Sequence, residues 1–237
     1  MPRIPLIEDL TNSPVSPGSN LLVEYDSTSQ WINASLSIAA GWLRTGGRMG
    51  YYAVSKPPDS VRSQLGRFGI DVEKLEAEES LAIYDLYTCQ LGQKSKEKYA
   101  LESLKVSDLS IWLSGALKLA SPDPNLLWIV DSFSPIARFN DEKSFIEWVL
   151  TRVIPYAPAE KSIGIWGVLR GVHSDWVYKQ LEASPDAVLQ FKFEEAGEEV
   201  KSLVRIMFMQ NVGFDSRWHS LRMNDNFEIT LEKLGAG

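Results

Sequence analysis

Apolar positions along the chain fall into short β-favouring blocks separated by stretches with a helical repeat. Leu21-Leu22-Val23-Glu24-Tyr25 follows the turn-like Pro17-Gly18-Ser19-Asn20 and predicts a first, buried strand. From Trp31 onward, Ala34, Leu36, Ile38, Ala39, Trp42 and Leu43 recur near helical spacing, and Thr45-Gly46-Gly47 closes the segment as a C-cap would. A strand over 50–54, a helix from Pro57 to about Phe68 and a strand over 81–84 continue a β-α-β alternation. Residues 89–103 are polar and lysine-rich, which predicts a loop, and 106–119 returns to the helical period. Leu126-Leu127-Trp128-Ile129-Val130-Asp131 is a continuous apolar run ending in an acid, the pattern of a central parallel strand. A helix over 142–156, a strand over 163–168 and a short helix over 174–181 follow.

The last third changes character. Segments 187–193, 201–209 and 227–231 alternate apolar with polar residues, separated by Glu194-Glu195-Ala196-Gly197-Glu198 and Asn211-Val212-Gly213. The pattern predicts an α/β fold: a mainly parallel central sheet flanked by helices, completed by antiparallel C-terminal strands. With no internal repeat, low-complexity stretch or linker, residues 1–237 are expected to form one domain.

Composition narrows the function classes. The 237 residues are 44% hydrophobic and 11% aromatic, enough to bury a full core, which excludes a disordered or fibrous chain. Lys+Arg 24 against Asp+Glu 31 gives a net charge of −7, whose field repels phosphate backbones and anionic membranes. Nucleic acid and membrane are therefore disfavoured as partners. Cys89 is alone, and His173 and His219 do not complete a zinc ligand set with it, so no metal is expected and a reducing compartment is. The first residues lack a basic region followed by an apolar stretch, and no run approaches the roughly 18 apolar residues of a membrane span. The expectation is a cytoplasmic protein.

In an open α/β sheet, ligands bind beyond the carboxyl ends of the strands. A phosphate-binding loop there needs glycines whose amides wrap the phosphates, a lysine to neutralise them and a hydroxyl for magnesium. After the first strand the chain has Tyr25-Asp26-Ser27-Thr28-Ser29-Gln30-Trp31-Ile32, with no glycine and no lysine.

Even so, the chain resembles a KaiC-like member of the RecA superfamily of ATPases, of the archaeal KaiC and RadA-related type, over nearly its whole length. Ile4-Pro5-Leu6-Ile7-Glu8-Asp9-Leu10 and Pro17 to Val23 are similar to the family's lead-in to the phosphate loop. Tyr51 to Arg62, followed by Arg67-Phe68-Gly69-Ile70-Asp71, resembles its second strand, catalytic glutamates and following helix. Leu127 to Ser132 matches its apolar strand ending in Asp-Ser, and Met207 to Met209 with Ser216-Arg217-Trp218-His219 resembles its C-terminal strand and turn. The resemblance implies a RecA-like P-loop NTPase fold, a nucleotide at residues 25–32 with Asp131, and assembly with a protein partner or as a homo-oligomer.

The departures alter that implication. Tyr25, Thr28 and Gln30 stand where the resemblance places glycines, Trp31 where it places the lysine and Ile32 where it places the magnesium-binding hydroxyl. Ser55-Lys56 replaces the glutamate pair that polarises the attacking water, and a serine or a protonated lysine is no base for that step. Phe208-Met209-Gln210 replaces the Lys-x-Arg that reaches a neighbouring subunit's nucleotide. Of the site, only Asp131 is retained. The expected function is a pseudo-ATPase without a cofactor, serving as a regulatory or protein-interaction module and as a paralogous partner of an active ATPase. The alternative is an ATP-binding signalling ATPase or nucleotide sensor with an atypical loop, using Asp131 and the backbone of 26–31.

Other residues carry weaker expectations. Asp131 is expected to cap a neighbouring backbone rather than hold a metal, and Trp31 to pack in the core while plugging the vestigial pocket. His173 is expected to be a surface or capping residue and His219 to pack the last turn, and Ser27, Ser29 and Ser132 lack the elbow motif of a nucleophile. Lys94, Lys96, Lys98 and Arg138 are expected to be solvated, and most of Trp112, Trp148 and Trp176 buried.

Overall fold

The computed structural model describes residues 2–119, 122–196 and 199–232. Within them, strands β1 (Asn20–Tyr25), β2 (Arg48–Ala53), β3 (Leu81–Asp85), β4 (Leu126–Val130) and β5 (Ile163–Leu169) are followed by β6 (Ala187–Ala196), β7 (Glu199–Met209), β8 (His219–Met223) and β9 (Ile229–Leu231). Helices α1 (Trp31–Arg44), α2 (Pro58–Arg67), α3 (Val72–Ala77) and α4 (Val106–Leu119) fill the first half. Helices α5 (Ser134–Arg138), α6 (Glu142–Trp148), α7 (Tyr156–Glu160) and α8 (Asp175–Glu182) lie in the second. The sheet order is β3-β2-β4-β5-β1-β6-β7-β8-β9. Every pairing from β3 to β6 is parallel, and β6-β7, β7-β8 and β8-β9 are antiparallel. This is the architecture expected from the sequence pattern.

Successive strand residues point to opposite faces, so the alternation within each buried strand feeds two cores. Leu21, Val23 and Tyr25 of β1, with Met49, Tyr51 and Ala53 of β2, pack against α1, α2 and the N-terminal segment Ile4 to Leu10. Leu22, Tyr52, Val130 and Trp166 face the other way, against the side chains of α4, α5, α6 and α8.

Several boundaries differ from the sequence reading. The expected helix over 142–156 is broken: α6 ends at Trp148, a wider π-type turn spans Val149–Val153, and α7 starts after Pro155, which has no amide to continue the ladder. Helix α3 forms where none was expected, capped by the Asp71 side chain accepting from the Lys74 amide at 3.2 Å. The loop over 89–103 contains part of a 3-10 turn, Thr88–Leu91, and is tied to β3 by a bridge between Asp85 and Ala100. Strand β6 continues through Glu194, Glu195 and Ala196, so the expected connection over 194–198 is mostly ladder, and residues 197–198 lie outside the described residues. The strand expected over 227–231 is reduced to β9, and β8 was not foreseen. Val188 pairs with Phe208 and Leu189 with Ile206, which leaves Met207 as the extra residue of a β-bulge. Among the described residues no helix is long and apolar enough to cross a membrane.

Candidate functional site

The carboxyl ends of β1, β2 and β4 converge around Asp131. The run Leu126 to Val130 is an interior strand between β2 and β5, so Asp131 emerges at its carboxyl end and is only 1% exposed. Its carboxylate accepts hydrogen bonds from the amides of Val54 and Ser55, both at 3.1 Å, and from the Ser55 hydroxyl at 3.3 Å. The carboxylate thus joins the end of β4 to the turn after β2, as the backbone-capping expectation had it. Burial pushes its pKa up to about 7, against the lowering effect of those donors.

Trp31 opens α1 and is fully buried. Its indole Nε1 donates to the Asp131 carbonyl oxygen at 2.8 Å, and its ring packs against Phe191 (5.3 Å between centroids) and Tyr25 (6.3 Å). The Tyr25 hydroxyl donates to Ser132 Oγ at 2.8 Å, and burial raises its pKa to about 12. Beneath them, the hydroxyls of Ser35 and Tyr51 are 2.9 Å apart in a fully buried contact, and Ser35 also donates to the Ile32 carbonyl. The space at the head of α1 is occupied by an aromatic cluster with satisfied polar tips.

The rest of the predicted loop lies nearer the surface. Ser27 and Thr28 are exposed, while Asp26, Ser29, Gln30 and Ile32 are half-buried. The Asp26 amide donates to the Phe191 carbonyl at 3.1 Å and the Ser29 amide to the Asp26 carbonyl at 2.9 Å, so both are engaged within the protein. Gln30 serves as N-cap of α1 without a side-chain capping bond and accepts from Asn33 Nδ2 at 2.9 Å. Ser55 joins Asp131, as above, whereas Lys56 is exposed. At the end of β7, Phe208 is 44% exposed and Gln210 is exposed.

Two groupings were missed by sequence reasoning. Glu24, 2% exposed inside β1, accepts from Gln190 Nε2 at 2.9 Å, and Gln190 Oε1 in turn accepts from Arg205, whose guanidinium sits 4.4 Å from the Trp218 ring centre. Burial, reinforced by Glu182, pushes the Glu24 pKa up to about 7 although Gln190 and Arg170 oppose it. An acid within an apolar run was the available signal. The second grouping is His173, whose Nε2 lies 3.0 Å from Ser134 Oγ, and that oxygen also accepts from the Leu169 amide at 2.9 Å. Burial holds the His173 imidazole below its usual pKa. With Ser134 only 4% exposed and the Tyr178 hydroxyl accepting from the Val172 and His173 amides, the contact fixes the loop after β5.

The remaining candidates are structural or solvated. His219 lies 3.3 Å from Asp215, which Arg217 holds well below the usual carboxylate range. Lys94, Lys96 and Arg138 are exposed, and Lys98 sits over the Tyr99 ring and pairs with Glu79. Trp148 is buried and Trp112 half-buried, whereas Trp176 is 45% exposed, on a helix that turns Val177, Tyr178 and Leu181 to the core. Among the described residues, no three His, Cys, Asp or Glu side chains gather as a metal site.

No protein-family model matches the chain. No curated protein matches it in sequence. Among solved structures it is similar to a KaiC-like protein from the hyperthermophilic archaeon Pyrococcus horikoshii, with a TM-score of 0.70 and 16% identity over 98% of this chain and 97% of that one. It is also similar to an uncharacterized protein from Pyrococcus horikoshii in complex with an unknown peptide, with a TM-score of 0.73 and 18% identity over 92% and 93% of the two chains. Likeness at such identity speaks for architecture alone, and on that ground the chain shares the fold of these two proteins, one of them KaiC-like.

Proposed function

We propose that this chain is a non-catalytic KaiC-like protein, a regulatory or protein-interaction module that pairs with an active ATPase or with further copies of itself. The observation that carries the reading is the burial of Trp31, with its indole bonded to the Asp131 carbonyl at 2.8 Å. The resemblance gives that position to the lysine facing the phosphates, where a triphosphate requires a cation and open space. The residues present do not fit a magnesium nucleotide. The Asp131 carboxylate is engaged by Val54 and Ser55, and Ser55-Lys56 offers no base to a water. The unknown peptide in one of the Pyrococcus horikoshii structures supports a recognition role for the fold.

An equilibrium titration with ATP and magnesium, followed by calorimetry and tryptophan fluorescence, tests this. The expected result is no saturable binding at millimolar nucleotide. Saturable binding overturns the proposal and makes the protein a nucleotide sensor.

A further inference from the structure

On the face of the sheet opposite Trp31, α4 stands off from β2, β3 and β4 and leaves a groove of about 760 Å³. Tyr84, Tyr99, Trp112, Trp128 and Tyr156 line it, with Arg48, Glu79 and Asp123 among the other lining residues, and Tyr52 lines the space beneath. Tyr52 stacks on Tyr84 at 4.6 Å and 13°, Trp112 meets both edge-on, and Trp128 meets Tyr156 edge-on at 5.4 Å. Trp112, Trp128 and Tyr156 also wall a second, inner space of about 70 Å³, so the two adjoin. Glycines shape the floor: a Cβ at Gly50 would collide with the Trp128 ring, and one at Gly164 would lie 2.9 Å from Trp166 Nε1 and 3.3 Å from Asn20 Oδ1.

Residues of the inner space carry polar atoms without partners. Trp128 Nε1, Trp148 Nε1 and Asn20 Oδ1 are buried and unpaired among the described residues, although Trp148 is 8% and Asn20 2% exposed. The Asn20 amide is oriented by its Nδ2 donating to the Ile154 carbonyl at 2.9 Å, which leaves the oxygen over. Buried polar groups ordinarily find partners, and exceptions of this kind call for one. No charged residue lines the inner space. Charges at the groove's rim are already matched, Arg48 with Asp123 at 3.1 Å and Glu79 with Lys98 at 3.4 Å.

We propose that the groove and the inner space together form a binding site for an uncharged, largely apolar small molecule carrying a hydrogen-bond-accepting oxygen. The groove falls within the roughly 300–1,000 Å³ of ligand pockets. The inner space is about half of the ~150 Å³ that holds a benzene ring, which suits a short alkyl end. The indole N–H groups supply donors for the oxygen, and the ring faces take the apolar body. The site is on the other face of the sheet from Trp31, so it stands independently of the nucleotide question.

The test uses 6-propionyl-2-dimethylaminonaphthalene, an uncharged aromatic ketone with a short alkyl end, and N-phenyl-1-naphthylamine, which is uncharged but has no acceptor oxygen. The ketone is expected to bind saturably at one site with blue-shifted emission, at least fivefold more tightly than the amine. Trp128→Phe, which leaves the Trp148 donor, should reduce that preference, and Trp128→Phe with Trp148→Phe should remove it. Gly115→Leu should weaken the ketone at least tenfold without lowering the melting temperature, because Gly115 lines the groove, an added Cβ there meets nothing within 4 Å, and leucine favours the helix. Absence of saturable binding, equal affinity for the two probes, or binding indifferent to Gly115→Leu would overturn the proposal. So would self-association that Gly115→Leu abolishes in a protein that binds neither probe, since the groove would then seat a second copy of the chain.

Discussion

Gly167 and Trp31 are interlocked. A Cβ on residue 167 would run into both the indole Nε1 of Trp31 and the carbonyl oxygen of Asp131, the two atoms that hydrogen-bond to each other. Glycine in β5 is therefore a requirement of the buried indole. One of the obstructing atoms is backbone, so the strand cannot adjust as a flexible side chain would. Gly167→Ala is expected to destabilise the protein by about 1–3 kcal/mol, the usual range for overpacking. Urea unfolding would measure it, and an unchanged midpoint would show that the indole moves aside freely.

Substitutions at Trp31 separate its packing from its hydrogen bond. Trp31→Ala empties a fully buried site beside Phe191 and Tyr25, and the expected loss is about 3–5 kcal/mol. Trp31→Phe keeps most of the apolar contact but strands the Asp131 carbonyl, with an expected loss of about 1–3 kcal/mol. Equal losses for the two variants, by the same unfolding measurement, would contradict this division.

The strands around this cluster were legible because each is a compact apolar block that the sheet buries on both faces. What failed were elements with little burial or with partners distant in sequence. Helix α3 buries only Val72 and offers no apolar stripe, although Asp71 three residues before Lys74 was a readable cap. Strand β8 pairs with β7 only at Ser220 and His219, so no alternation was imposed on its sequence. The candidate site was legible as a list of positions, residues 25–32 with Asp131. Its construction was not, because the bonds from Trp31 to Asp131 and from Gln190 to Glu24 span 100 and 166 residues. Local pattern carries no information about contacts of that range.

Arg62 holds the irregular segment before α4 against the body of the protein. Its guanidinium donates to Glu76 of α3 (2.9 Å) and to Glu97 of that segment (2.8 and 2.6 Å), with its side chain 27% exposed. These carboxylates raise the arginine's pKa further above its usual value. Ser95, two residues earlier, donates to Asp85 at 2.6 Å, and the Asp85 backbone bonds to Tyr99 and Leu101, so Arg62 is one of several anchors of the segment. Arg62→Ala removes one anchor and leaves two like charges facing each other; the expected cost is about 1–2 kcal/mol, discounted for partial exposure. Limited proteolysis should then cut faster between residues 88 and 105. Arg62→Lys should fall between, since an ammonium keeps the charge but not the fork. Cleavage equal to that of the unaltered protein would show that Asp85 alone suffices.

Glu24 makes stability depend on pH in a defined direction. Its pKa rises from the ordinary 4.5 to about 7 in the folded protein, chiefly through burial. Between those values the native state holds a proton that the unfolded chain has released, so stability falls as pH rises, by at most about 1.4 kcal/mol per unit from this group. Below pH 4.5 both states are protonated and above 7 both are ionised, and in either region the contribution is flat. Asp131 acts in the same sense, its pKa moving from 3.8 to about 7, so the test must isolate one acid. Glu24→Gln does so: its amide oxygen can still accept from Gln190, and its NH₂ can donate toward Glu182, while nothing titrates. Unfolding free energies of both proteins at pH 5, 6, 7 and 8 should show the variant gaining on the natural sequence up to pH 7 and holding that gain at pH 8. A difference that did not change with pH would mean that Glu24 titrates alike in the folded and unfolded states, and that its burial in β1 carries no protonation cost.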